Sequence, residues 1–356
     1  MVDGASSGGN KDRRKGEAMR RWFNYRLFIW AALPVLFFMA LRQAPLQEIW
    51  QIIRSFTLAQ ALTLVALNLS ILALFNARWW LILRAQKINV PFNNLLRYRL
   101  AGFAVSYFTP GAQFGGEPLQ IYLLQNRHHL SSPTALAAVS LDKLFELLAN
   151  FTFLCVGIVL ILNGGLFQGT AHPQALVVVF GLLALPLLYL LALWRQRFPL
   201  SRLAARLAGD SRRRPWLDHF LPVIVATERQ IAGLFIQAPR KIMLVLLLSG
   251  AIWIILLFEY WLTLRFLGAT FNLQQTIAAL TAARIAFLTP LPGGIGALEA
   301  GQAFAMQALG FSPALGISAS LLIRARDLSL GFIGLWWAGV FTHARLIKPL
   351  ISEARD

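Results

Sequence analysis

Ionisable side chains stand where the chain offers them little water. Asp142, Lys143 and Glu146 interrupt one long apolar run, Arg324, Arg326 and Asp327 interrupt another, and Arg284 interrupts a third. An ionised group deep in hydrocarbon costs at least about 2.5 kcal/mol on insertion scales, so these groups are expected to face one another or a polar cavity. Counted from Pro133 and Pro313 at about 1.5 Å per residue, Asp142, Glu146 and Arg324 lie roughly 14 to 20 Å deep. Asp142 and Glu146 share a helix face at i, i+4, and the expectation is that they bind Arg324 across the molecule. The same groups are candidates for a polar path along a lipid head group. Glu259 is expected near an outer interface with Arg265.

Two further carboxylates follow breaks in the apolar pattern. The stretch "YFTPGAQFGGEPLQ" places Pro110, Gly115 and Gly116 before Glu117, and "TPLPGGIGALEAGQ" places Pro290, Gly293, Gly294 and Gly296 before Glu299. Unpaired backbone groups are costly in hydrocarbon, so irregular chain at that depth is tolerated only when buried in protein or lining a wet cavity. Glycine and proline allow such turns. Each break opens a short helix, whose positive N-terminus favours a carboxylate or a ligand's anion. Glu117 and Glu299 are therefore either caps or site residues.

The elements that must carry these groups follow from composition. Of 356 residues, 57% are hydrophobic and 13% charged, and the mean hydropathy is +0.61. Such a chain is an all-α polytopic membrane protein. Six full spans are expected, at 22–41, 58–83, 134–162, 174–194, 242–267 and 314–341. The apolar segments 95–108 and 277–288, each with its short following helix, are too short to span, and they read as two re-entrant broken-helix hairpins. That makes eight hydrophobic segments.

The net charge of +18 sits between the apolar runs, where basic residues signal topology and meet anionic head groups at the cytoplasmic face. No nucleic-acid partner is expected. The arm 1–25, the segments 84–99 and 195–241 and the tail 343–356 are basic, whereas 163–173 and 268–276 carry no Asp, Glu, Lys or Arg. Both termini are then cytoplasmic, in a cytoplasmic or inner membrane. Within 195–241, "LSRLAARLAG" segregates leucines from arginines as a helix lying on the membrane surface does.

Shifting the chain by 180 residues aligns Thr109-Pro110 with Thr289-Pro290, Gly116 with Gly296 and Ser132-Pro133 with Ser312-Pro313. Eight identities fall in the 42 positions 100–141. The two units, about 58–162 and 240–342, repeat one order: half-helix, Thr-Pro break, glycines, carboxylate, short helix, Ser-Pro, long span. Three spans separate the breaks, so the units are expected to face opposite ways, an inverted repeat within one transmembrane domain over 26–342.

Other chemistry finds little support. The single Cys155 excludes an intrachain disulfide and a thiolate cage. His128 and His129 lack a third ligand at metal spacing. No phosphate-binding loop, dinucleotide fingerprint or catalytic triad pattern is present. No metal, cofactor or catalytic residue is expected.

The segments "TPGAQFGGEPLQIYLL", "SLDKLFELL", "LTPLPGGIGALEA" and "LLIRARDL" resemble the transmembrane domain of lysylphosphatidylglycerol synthases and the wider flippase-like family that shares it, from about Leu58 to Phe341. The family often places a basic residue just after the Gly-Glu helix start, where Gln120 stands here. The resemblance implies movement of a membrane phospholipid or lipid-linked substrate between leaflets, without the soluble aminoacyl transferase domain of the fused members. Two other readings are a membrane-embedded transferase using Glu117 or Glu299 as base, and a non-transporting partner of a lipid-modifying enzyme.

Overall fold

The computed structural model describes residues 56–109, 115–163, 173–208, 215–289 and 291–352, and all regular structure in them is helical. Eleven α-helices follow in order among these residues. The first set is α1 (Leu58–Ala85), α2 (Phe92–Phe108), α3 (Glu117–His128) and α4 (Ser132–Asn163). Then come α5 (Pro173–Trp194), α6 (Pro199–Ala208) and α7 (Pro215–Gln237). The last set is α8 (Pro239–Phe266), α9 (Leu273–Phe287), α10 (Ala297–Ala308) and α11 (Pro313–Ser352), with a 3₁₀ turn, Pro292–Gly294, between α9 and α10. The expected span 22–41 and the arm 1–25 lie outside the described residues, as do Pro110 and Pro290.

Local chemistry sets these boundaries. Thr57 caps α1 reciprocally with Gln60, and Asn272 caps α9 with Gln275, each pair satisfying two orphan donors of a helix start. Gly268 and Gly310, at φ 87° and 82°, turn the chain after α8 and α10, a conformation that costs glycine nothing.

The first and last sets are copies in outline. α3 and α10 are both 12 residues long, and their starts, 117 and 297, differ by 180. Contacts at the helix ends fix their directions. Tyr98 Oη meets His128 Nε2 at 3.1 Å, so α2 and α3 double back on each other. Lys241 Nζ donates to the Arg84 carbonyl at 2.7 Å, and Gln230 Nε2 to Thr134 Oγ1 at 3.2 Å. These place the end of α1 and the starts of α4 and α8 at one pole. At the other pole Gln274 Nε2 donates to the Leu160 carbonyl at 3.3 Å, and the Phe271 and Phe311 rings stack at 4.2 Å. The hairpin α2–α3 thus opens at one pole and α9–α10 at the opposite one. The long helix α11 returns to the first pole, where Arg97 lies 4.2 Å over the Trp337 ring.

Among the described residues, four helical segments are long and apolar enough to cross a membrane: Leu58–Ala85, Ser132–Asn163, Val177–Trp194 and Pro239–Phe266. Their outward faces carry exposed apolar side chains, Leu58, Leu62, Val65 and Leu69 on α1 and Val177, Leu185 and Leu188 on α5. Apolar stripes of this extent fit lipid rather than water. α11 is long enough to span, but Arg324, Arg326 and Asp327 keep it below the apolarity of the four. It continues to Ser352, past residue 342, where the sequence suggests a tail.

The segment 195–241 is more than a surface strap. α6 does expose Leu200 and Leu203, while its first amides, Leu200 N and Ser201 N, donate to the buried carboxylate of Glu228 at 3.0 and 2.8 Å. α7, however, buries Ile231, Ala232 and Leu234 in the largest apolar cluster, beside Leu141 of α4 and Val245 of α8. A second apolar cluster gathers Tyr260, Leu264, Leu298, Met306 and Ala319.

Candidate functional site

A partly enclosed cavity of about 280 Å³ lies among α1, α2, α3, α4, α8, α9 and α11. It draws on both repeat units, Glu117 and Asp142 coming from the first and Arg284 and Arg326 from the second. The second break packs on α2, where a Cβ on Gly293 would stand 2.8 Å from Cζ of Tyr107. Gly293, Gly294 and Gly296 all have φ between 55° and 78°, the left-handed region closed to most side chains. Gly116 is needed for a different reason. A Cβ there would lie 2.0 Å from the Gly102 carbonyl oxygen, so α3 begins directly on the backbone of α2.

One wall is a charge network carried by the first unit. Asp142 Oδ1 accepts from Arg78 Nε at 2.8 Å and Oδ2 from Arg99 Nη2 at 2.7 Å. Arg78 also reaches Glu146 Oε2 at 3.7 Å and donates to Ser249 Oγ on α8 at 3.4 Å. Lys143 Nζ bridges Glu146 at 2.9 Å and Glu117 at 3.1 Å. Glu117 in turn accepts from Gly115 N at 2.9 Å, so it caps its own break and ties α3 to α4. Asp142 and Arg78 are almost wholly buried. Buried ions persist only with partners and hydrogen bonds, which this network supplies.

The opposite wall belongs to α9 and α11. Arg326 Nε donates to Asp327 at 2.8 Å, and its Nη1 lies 3.9 Å from Glu259 and 3.4 Å from Asn68 Oδ1. Asn68 closes the loop by donating to Glu259 at 3.2 Å. Arg284 lines the cavity on this side, with its guanidinium 4.9 Å from the centre of the Trp253 ring.

The expected site residues divide into two groups. Glu117, Asp142, Lys143, Glu146, Arg284, Arg326, Asp327 and Gly116 line the cavity. Glu299 and Arg324 do not line it; they form a bidentate pair with each other, Arg324 Nη2 to Glu299 Oε2 at 2.8 Å. Glu299 also accepts from Gly296 N at 2.9 Å, and Arg324 donates to the Gly294 carbonyl at 3.3 Å. The expected pairing of Asp142 and Glu146 with Arg324 is therefore incorrect. Each long helix closes its own hairpin, Lys143 on Glu117 and Arg324 on Glu299, because the short helix packs beside the long one that follows it. Glu259 is corrected as well. It faces inward to Asn68 and Arg326, while Arg265 lies over the Trp261 ring.

Arg78 and Arg99 escaped the sequence reading, although they anchor the network. Arg99 belongs to a basic stretch that reads as cytoplasmic, and Arg78 lies close to the end of an apolar run. The available signal was Arg78's position seven residues inside α1, before Ala85. Gln120, standing where the family often has a base, packs its side chain on Gly102. Among the described residues no group of three or more His, Cys, Asp or Glu converges as a metal site.

Comparison with known proteins agrees with this architecture. The lysylphosphatidylglycerol synthase transmembrane region matches residues 25–334. A UPF0104 membrane protein of Methanothermobacter thermautotrophicus is 26% identical over 290 residues, covering 78% of this chain and 83% of the relative. Another, of Pyrococcus horikoshii, is 23% identical over 262 residues, covering 69% and 76%. No solved structure matches the chain significantly. With a match over most of its length, this membrane-embedded chain belongs to the lysylphosphatidylglycerol synthase transmembrane-region family.

Proposed function

We propose that the protein moves a lipid head group between leaflets of a cytoplasmic or inner membrane, without altering it chemically. The observation that carries this reading is the charged cavity built from both halves of an otherwise apolar helical body. A head group can lose its water there against Arg and Glu side chains while the acyl tails stay in lipid, so the protein supplies only the polar part of the path. The hairpins α2–α3 and α9–α10 are the re-entrant elements of that path, entering from opposite faces, with both chain termini cytoplasmic. Broken helices meeting near the midplane of an inverted repeat are a recurrent transporter arrangement. Anionic lipids at the cytoplasmic face, and a lipid-modifying enzyme supplying the cargo, are the partners that fit.

The transferase reading gains nothing from the geometry. Glu117 is engaged by Lys143, and Glu299, engaged by Arg324, does not line the cavity. The test is reconstitution of the purified protein in vesicles with a head-labelled phospholipid. Leaflet exchange with unchanged lipid mass is expected. A new covalent lipid product in the absence of exchange would overturn the proposal.

A further inference from the structure

Four of the five cations lining the cavity are each engaged by a carboxylate. Arg78 and Arg99 hold Asp142, Lys143 holds Glu146 and Glu117, and Arg326 holds Asp327. Arg284 is the exception. Among the described residues no carboxylate comes within 4.0 Å of it, and its buried Nε has no hydrogen-bond partner. Its contact is the Trp253 ring, which attracts the cation from one face and leaves the in-plane N–H donors unused. The side chain stands in the last turn of α9, where the helix dipole favours a cation but accepts none of its hydrogen bonds.

A guanidinium stays charged at any physiological pH, and its fork of donors fits phosphate oxygens two at a time. The four acidic residues of the lining, Glu117, Asp142, Glu146 and Asp327, are all engaged by the other four cations, so an anion for Arg284 has to come from a ligand. Around these charges the walls are apolar, including Phe75, Phe103, Leu147 and Leu330. That suits a group attached to a lipid better than a free ion. The volume of about 280 Å³ is below the roughly 300 to 1,000 Å³ of sites that enclose a drug-sized ligand, so it fits a head group and not a whole lipid.

We propose that Arg284 is the specificity-determining residue of the cavity and that it grips the phosphodiester of an anionic lipid head group. This rests on the translocation reading for the presence of a lipid, and adds the chemistry by which the cargo is chosen.

The experiment measures equilibrium binding to the full chain in detergent, read as a ligand-dependent rise in thermal midpoint. The probes are dioctanoyl phosphatidylglycerol, a dioctanoyl glucosyl glycerol without phosphate, and inorganic phosphate. The parent is expected to bind the first at least about tenfold more tightly than either of the others. Arg284→Gln is expected to lose that advantage while its unliganded midpoint holds or rises, because removing Arg284 strands no carboxylate. Arg284→Lys is expected to retain part of it. A merely structural arginine would behave in the opposite way, lowering the midpoint and leaving the preference intact.

Equal binding of the glucosyl lipid or of inorganic phosphate by the parent overturns the proposal, as does parent-like affinity in Arg284→Gln. Should that variant not fold, the lysine variant and the three-probe comparison decide. Phosphate-selective binding through Arg284 in a protein that moves no lipid in vesicles supports this inference and removes translocation. Leaflet exchange with no phosphate preference does the reverse.

Discussion

Asp142 accepts from two arginines on two different helices, and its loss exposes both. Asp142→Asn leaves Arg78, which is 1% exposed, with only the longer contact to Glu146 at 3.7 Å, so a destabilisation of about 3 kcal/mol is expected. Thermal or denaturant unfolding in detergent measures it. Arg324→Gln is expected to cost less, about 1 kcal/mol, because the Glu299 side chain it abandons is 26% exposed and can hydrate. The double variant Asp142→Asn with Arg324→Gln should show the sum of the two losses to within about 0.5 kcal/mol, since the residues share no partner. A large coupling between them would restore the cross-molecule pairing that the geometry rejects. Asp142→Asn with Arg78→Met should be less destabilised than Asp142→Asn alone, because one buried charge leaves with its partner.

Helix packing depends on glycines whose role is proximity and not turning. Gly334 lies in α11 against α2, and a Cβ there would stand 2.1 Å from the Leu100 carbonyl oxygen. Gly116 stands in the same relation to Gly102, and Gly157 of α4 to Thr281 of α9, at 1.9 Å from Oγ1. Gly334→Ala must push α2 from α11, and overpacking of this kind costs about 1 to 3 kcal/mol. It should also lower leaflet exchange, since α2 and α11 both line the cavity. Gly181→Ala and Gly250→Ala are the controls: nothing lies within 4 Å of the added methyl, and alanine's better helix propensity is expected to leave stability equal or raise it by up to about 1 kcal/mol. Equal effects at Gly334 and Gly250 would mean that the close approach does not matter.

At the scale of the molecule, only one of the two carboxylate–cation pairs that close the short helices opens on the cavity. Glu117 and Lys143 line it, whereas Glu299 and Arg324 do not. The orientation in the membrane is tested with single cysteines at Thr270 and Arg202 after Cys155→Ala. A membrane-impermeant thiol reagent applied to intact cells should label position 270 and not 202. Labelling of 202 alone would reverse the topology, and labelling of both from outside would remove the assignment of α6 to the cytoplasmic face.

What the sequence alone determined was the local and periodic part of this structure. Apolar runs located α1, α4, α5, α8 and α11, the Thr-Pro and glycine clusters stand where α2 and α9 end, and a shift of 180 residues anticipated the matching starts of α3 and α10 at 117 and 297. These depend on backbone conformation and on hydrophobic period, which neighbouring residues set. Tertiary structure alone decided which charge meets which. The helical period puts Asp142 and Glu146 on one face without saying which helix that face meets, and Arg78 and Arg99 arrive there from α1 and α2. Lateral packing also turned Glu259 inward, folded α7 into the core, and left Arg284 without a carboxylate beside a cavity whose other cations are all engaged. Pairing between helices is a long-range choice made by packing, where a shift of a single residue redirects a side chain by about 100°.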